Sequence, residues 1–279
     1  MDTLTLLIKT VELRPYVFLF LVIFFFSAKA LIGVKRTGLF FGVTWATAFA
    51  CEFSSTRIGV PFGRYSYTGA TVGQELYLAD IPFMDSLSFT FLLYASYCLA
   101  LLFLLPTHQG NRTGKTAATK RILPPLVFDP IVRSSWPTRL LTALFFAFID
   151  VVIDPVALRG DRWFLGKIYD YPDAGIHFGV PIANYIGWMI VGLIALSLFV
   201  SCERGLPPPP VRRDESVTLK LLGGCGLYYG VLAFNLSVTF WIGEPLLGVT
   251  GVLIHVPTTV LLLLRLFGRA PATLSHEWR

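Results

Sequence analysis

Two carboxylates stand inside one apolar run, at Asp150 and Asp154, and Pro155 follows at once. Four residues apart on a helix, they share a face about one turn from each other. A second apolar run opens on Gly179, Pro181, Asn184 and Trp188, and its last two members share a face in the same way. Between the runs lies a loop carrying Trp163, Tyr169 and His177. Upstream, Glu52 closes another apolar run and is followed by the string PFGRYSY with Tyr65 and Tyr67. Paired carboxyl groups in apolar surroundings can divide acid and base roles, one keeping its proton while the other gives it up. The faces of Tyr65, Tyr67, Trp163, Tyr169 and Trp188 can steady a developing carbocation by cation–π attraction. Acids and aromatic faces in a lipid-facing cavity suit electrophilic chemistry on an unactivated C=C bond. Asp150, Asp154 and Glu52 are therefore the candidate catalytic residues, with Tyr65, Tyr67, Trp163, Tyr169, His177, Asn184 and Trp188 as candidates for substrate binding.

The elements that must position these residues are membrane helices. The 279 residues are 54% hydrophobic and only 14% charged, whereas soluble proteins carry about 25% charge. Several apolar runs reach the roughly 20 residues that cross a bilayer as helix, and they are too long and continuous for barrel strands. The chain is expected to be an all-α, polytopic integral membrane bundle forming a single domain over residues 1–279. Seven spans are expected, near 15–32, 37–54, 81–105, 138–158, 178–201, 217–242 and 245–267. The net charge of +6 arises from Lys and Arg clustered between apolar runs, so nucleic acid is not an implied partner. Cys51, Cys98, Cys202 and Cys225 are scattered without ligand-like spacing, and neither a disulfide nor a metal site is expected from them.

Loop charges set the orientation. With the C-terminus inside, fifteen Lys and Arg fall in inner regions and seven in outer ones, which favours N-out and C-in. The basic connection 106–137 is then cytoplasmic. Ala28-Lys29-Ala30 mimics a signal-peptide cleavage site, but a cleaved leader would export that basic connection. In the favoured orientation Glu52, Asp85, Asp154 and Asn184 all lie near the outer face, with Asp150 one turn deeper. The aromatic loops 55–80 and 159–177 and Glu244 lie on the same side. Acids near helix ends can be merely interfacial, and so can Trp and Tyr. Asp150 resists that reading best, being about eight residues in from the outer helix end at Leu158. His255, in the last apolar run, reads as a hydrogen-bonded interior histidine.

The strings IGVPFGRYSY after Glu52, DVVIDPVALRGDRW and HFGVPIANYIGW resemble the carotenoid-biosynthesis membrane family, over about residues 40–200. That family includes bacterial carotenoid hydratases and the haloarchaeal bisanhydrobacterioruberin hydratase. Two stretches depart from its pattern. The third span reads SLSF where members often have a Trp, and Trp163 stands alone where members often have a pair. The resemblance implies addition of water to the terminal C=C of an acyclic, ψ-type carotenoid, giving a tertiary alcohol without a redox cofactor. It implies a bacterial or archaeal cell membrane, a lipophilic polyene substrate and association with other enzymes of the pathway. On this reading Asp150 is the proton donor, Asp154 positions or deprotonates the water, Glu52 hydrogen-bonds the pair, and Asp85 is dispensable. Two other classes compete. An intramembrane prenyltransferase would use the DxxxD acids with Mg²⁺, drawing on Arg159, Arg162 and Lys167 for a diphosphate. A lipid-binding or proton-coupled transporter would use the acids as a relay, though no internal repeat is visible.

Overall fold

The chain spends its backbone hydrogen bonds within helices, as an apolar surround requires. The structure, a computed structural model, describes residues 2–107, 123–207 and 215–267. Residues 108–122 of the basic connection and 208–210 of the Pro run lie outside the described residues. In chain order the helices are α1 (Thr3–Leu13), α2 (Pro15–Ile32), α3 (Val34–Ile58), α4 (Phe83–Leu104), α5 (Pro130–Arg133), α6 (Trp136–Ala157), α7 (Ile182–Cys202), α8 (Glu215–Trp241) and α9 (Pro245–Phe267). Four short strands join them: β1 (Ser66–Tyr67), β2 (Tyr77–Leu78), β3 (Ile81–Pro82) and β4 (Tyr169–Asp170).

Among the described residues, six helices are long and apolar enough to cross a membrane: α2, α4, α6, α7, α8 and α9. The remaining expected span is present as α3, 25 residues long, but falls short of that apolarity. The reason is an inward polar stripe, Thr44, Thr47, Glu52 and Ser55, each buried against the bundle. The protein is thus an all-α polytopic membrane bundle with helix limits close to those read from hydropathy.

α4 is the central helix. Its apolar residues run round every face, and 83% of its apolar window is buried, against 28% for α9. A helix apolar all round must be enclosed, and α4 is enclosed by α2, α3, α6 and α8. Small residues let the neighbours approach: a Cβ at Gly224 of α8 would sit 2.3 Å from the Cys98 sulfur of α4. α9 and α2 present Leu253, Leu264, Leu19 and Phe26 outward, as lipid-facing helices do.

Two loops fold back over one end of this bundle, here termed the loop end. α3 stops at Gly59, whose φ of +80° is the left-handed C-cap that glycine accepts without strain. The chain from there to Pro82 carries β1 and the β2–β3 hairpin. The loop after α6 carries β4, and β1 pairs antiparallel with β4, Tyr67 opposite Tyr169 and Ser66 opposite Asp170. Arg14, fully buried between α1 and α2, pins both loops. It donates to Glu75 at 2.8 Å and to the Leu165 carbonyl at 2.6 Å.

Candidate active site

Pairing β1 with β4 has a simple stereochemical result. Alternate residues of a strand point to the same face, so Tyr65, Tyr67, Tyr169 and Tyr171 all turn toward the helices. Ser66 and Asp170 turn to the exposed side. Beneath this tyrosine face lie the ends of α3, α4, α6 and α7 with their acids.

Asp154 is 7% exposed and accepts hydrogen bonds from the Tyr169 hydroxyl, from the Tyr171 hydroxyl at 2.7 Å and from Asn184 Nδ2 at 2.8 Å. The same Asn184 nitrogen donates to Asp150 at 2.7 Å, so its two N–H groups bridge the two acids. The expected pairing of faces is therefore met, with Asn184 as the link. Asp150 is fully buried, and its other carboxyl oxygen has no hydrogen-bond partner among the described residues. On the α3–α4 side, Ser86 donates to Glu52, and the Tyr67 hydroxyl lies 2.7 Å from Asp85 and 3.3 Å from Glu52. Glu52 thus bonds to the Asp85 side of the site, not to the Asp150–Asp154 pair as expected. Glu52 and Asp85 stand on α3 and α4 whereas Asp150 and Asp154 both stand on α6, and Tyr67 reaches only the first pair.

Two cavities meet at these groups. A polar chamber of about 40 Å³ is lined by Glu52, Tyr65, Asp85, Asp154, Tyr171 and Asn184, with Phe62, Phe89 and Trp188 below. An apolar slot of about 100 Å³ lies toward α2 and α8, lined by Tyr16, Phe20, Phe91, Trp163, Val231 and Phe234 among others. Asp85, Asp154, Tyr169 and Trp188 line both. Trp188 forms the floor, stacked on Phe89 with ring centroids 4.3 Å apart and 4.6 Å from Phe146. Burial pushes the Tyr65, Tyr67, Tyr169 and Tyr171 hydroxyls well above the usual tyrosine range, and the neighbouring carboxylates push the same way. All four remain hydrogen-bond donors across the ordinary pH range.

Some candidates stand elsewhere. Asp150 lines neither cavity, because Asn184 stands between it and the chamber. His177 also lines neither. Pro155 has no N–H to give the Val151 carbonyl four residues back, and His177 Nε2 lies 3.2 Å from that carbonyl. His177 completes the interrupted end of α6. Trp163 lines the apolar slot rather than the acid chamber, with its indole N–H on the Val156 carbonyl at 3.0 Å. The basic residues suited to a diphosphate are engaged: Arg159 and Arg162 pair with Glu244, and Lys167 pairs with Asp170. His255 is an interior histidine, between the Gly251 carbonyl at 3.0 Å and the Tyr228 hydroxyl at 3.4 Å. The four cysteines are free.

Sequence reading missed the part played by Asp85, Ser86, Tyr171 and Asn235. Tyr171 carried a signal, since it stands two residues from Tyr169 and so shares its strand face. Asp85 carried its place near the outer face but not the direction in which α4 turns it, and Asn235 carried none, because nothing local says which way α8 turns.

A helical membrane bundle with an acid-lined chamber opening against an apolar slot is the class this architecture defines. The chain matches the carotenoid biosynthesis protein family over residues 13–257 and belongs to it. It is 31% identical over 202 residues to a protein named bisanhydrobacterioruberin hydratase from Haloarcula japonica. That match covers 70% of this chain and 58% of the relative, so the chain spans under two thirds of that protein's length. No solved structure matches.

Proposed function

We propose that the protein adds water across the terminal trisubstituted C=C of an acyclic carotenoid, as a membrane-embedded hydro-lyase. The observation that carries this reading is the seam of carboxylates between a polar chamber and an apolar slot. A chamber of about 40 Å³ has room for two to four waters at roughly 10–15 Å³ each. An engineered cavity of about 150 Å³ admits benzene, so a slot of about 100 Å³ is on the scale of a short branched end and not of a whole polyene. Water and alkene would therefore be held on opposite sides of the same acids.

The reaction starts as the O–H bond of a protonated carboxyl in the seam breaks and the alkene π pair takes the proton, which forms a C–H bond and leaves a tertiary cation. Tyr169 and Trp188, lining both cavities, face that charge with their rings. A chamber water forms the C–O bond and passes a proton to a carboxylate. Asp154 suits this second role, because three donors already shape it as an acceptor. The rest of the polyene stays in lipid. The loop end faces the outside of the cell membrane, following the loop charges, and other enzymes of the pathway supply the substrate there.

The test is expression in a lycopene-producing bacterium with mass spectrometry of the pigments. Hydroxylated product is expected from the wild type. Asp154→Asn should reduce product by about a hundred- to ten-thousandfold with normal accumulation in the membrane. A wild type that leaves the pigment unchanged, with or without Mg²⁺, ends the hydratase reading.

A further inference from the structure

Among the four acids beneath the tyrosine face, accessibility rises in a definite order. Asp150 is fully buried, Glu52 is 2% exposed, Asp154 is 7% exposed and Asp85 is half-buried. Asp85 lines both cavities, and along the slot it stands with Ser88 and Leu92, one turn and two turns further along α4. Among the described residues its one side-chain partner is Tyr67, whereas Asp154 has three. The Asp85 carboxyl is thus held by one hydroxyl and borders both the chamber and the slot.

The slot has a way in. Tyr16 and Phe20 of α2 and Phe234 of α8 are half-buried and meet at the seam between these helices, with Tyr16 stacked on Phe234 at 5.0 Å. Both helices border lipid, as the outward Leu19 and Phe240 show. Among the described residues, the only polar side chain that α8 gives the slot is Asn235. On the opposite side, a vestibule of about 460 Å³ on the loop face is lined by Arg57, Arg64, Ser66 and Asp170. It shares Tyr65 and Tyr171 with the polar chamber. The vestibule therefore adjoins the chamber at Tyr65 and Tyr171, and the chamber adjoins the slot at Asp85 and Asp154.

We propose that the polyene end enters from lipid through the α2–α8 seam, that water enters past Tyr65 and Tyr171, and that Asp85 is the catalytic acid protonating the alkene where the routes meet. This rests on the hydratase reading and deepens it. The O–H bond of the Asp85 carboxyl breaks as the C–H bond forms on the less substituted alkene carbon. Water captures the tertiary cation and its proton goes to Asp154. The proton returns from Asp154 to Asp85 through the water of the chamber that both line, so each turnover consumes one alkene and one water. Asp150 is then a positioning residue, acting on Asp154 through Asn184.

The experiment uses the full chain reconstituted in lipid nanodiscs with lycopene, followed in ordinary and heavy water. Asp85→Asn is expected to lose at least a hundredfold in product, with no deuterium entering the polyene, and Asp85→Glu to recover part of it. Asp150→Asn is expected to keep measurable turnover with a shifted pH profile. Val231→Trp, which fills the slot from α8, should abolish product, and Val231→Met, a milder filling, should raise KM about tenfold with kcat little changed. If Val231→Trp does not accumulate, Val231→Met alone decides whether the slot holds substrate. An active wild type whose Asp85→Asn variant turns over near normally, or whose Val231→Met variant keeps its KM, overturns the proposal and leaves the hydratase reading standing. An inactive wild type overturns that reading itself.

Discussion

The molecule buries carboxylates in two ways at its two ends. At the end away from the loops, Glu203 lies 8% exposed between two arginines. Arg133 grips it through one nitrogen at 2.7 and 2.9 Å, and Arg36 adds a contact at 3.1 Å. At the loop end, Glu52, Asp85, Asp150 and Asp154 are held by Ser86, Tyr67, Tyr169, Tyr171 and Asn184, and among the described residues no Lys or Arg forms an ion pair with them. Arg14 is buried near them yet spends its guanidinium on Glu75. A cation fixes a carboxylate in one protonation state, which serves a clamp. Hydroxyls and an amide hold either state, which serves a group that must give and take a proton. The difference marks one cluster as architecture and the other as chemistry.

The comparison breaks most visibly at Arg133. Arg133→Ala leaves Glu203 buried with only the more exposed Arg36, and a broken buried pair costs about 3–5 kcal/mol. Detergent-solubilised protein should unfold at clearly lower temperature, while turnover per folded molecule stays near wild type. A large loss of turnover at unchanged stability would reverse the roles assigned to the two ends.

A smaller change sharpens the other side. Tyr171→Phe removes one of three donors to Asp154 and should cut turnover about tenfold, equivalent to about 1.4 kcal/mol. Stability should move by no more than the roughly 0.5–1.5 kcal/mol of one hydrogen bond. Because burial raises the Tyr171 hydroxyl above the ordinary range near 10, turnover should show no tyrosine ionisation as pH approaches that value. A fall there would show that the ribbon is wetter than this packing allows.

The least effect belongs to Glu244, an acid of the loop end that does have arginine partners. Burial pushes its carboxyl up, but the hydrogen bonds from Arg162 and Arg159 outweigh that and hold it below the usual range. A lowered carboxylate adds stability at neutral pH that is lost as pH falls through the folded value. Glu244→Gln should therefore cost at most about 1 kcal/mol at neutral pH, and the difference should vanish in acid. A strong effect on product formation would place this surface pair inside the reaction.

Much of this was legible in the chain. Apolar runs located the helices because crossing lipid demands a minimum length of apolar residues and satisfied backbone groups. The four-residue spacing of Asp150 and Asp154, and of Asn184 and Trp188, placed each pair on one face because helix geometry is local. The roles were less legible. Asp150 reads as the deep acid from its distance along α6, yet depth along a helix does not say what stands in front of it, and Asn184 does. His177 reads as a site residue, yet the missing N–H of Pro155 gives it a different task.

By itself, then, the sequence determined the class of protein, the helix limits, the end at which the acids gather and the pairs that share a face. All of these follow from periodicity and hydropathy within a few turns of chain. Tertiary structure alone decided that β1 meets β4 a hundred residues away and turns four tyrosines inward. It alone set the rotation of α4 that brings Asp85 to the seam, and it brought Val231, Phe234 and Asn235 of α8 to a slot beside Asp154. The physical reason is that lipid-spanning helices are specified as segments by transfer from water. Their mutual rotation is specified by side-chain packing between segments distant in the chain, such as Cys98 against Gly224, which no local pattern encodes.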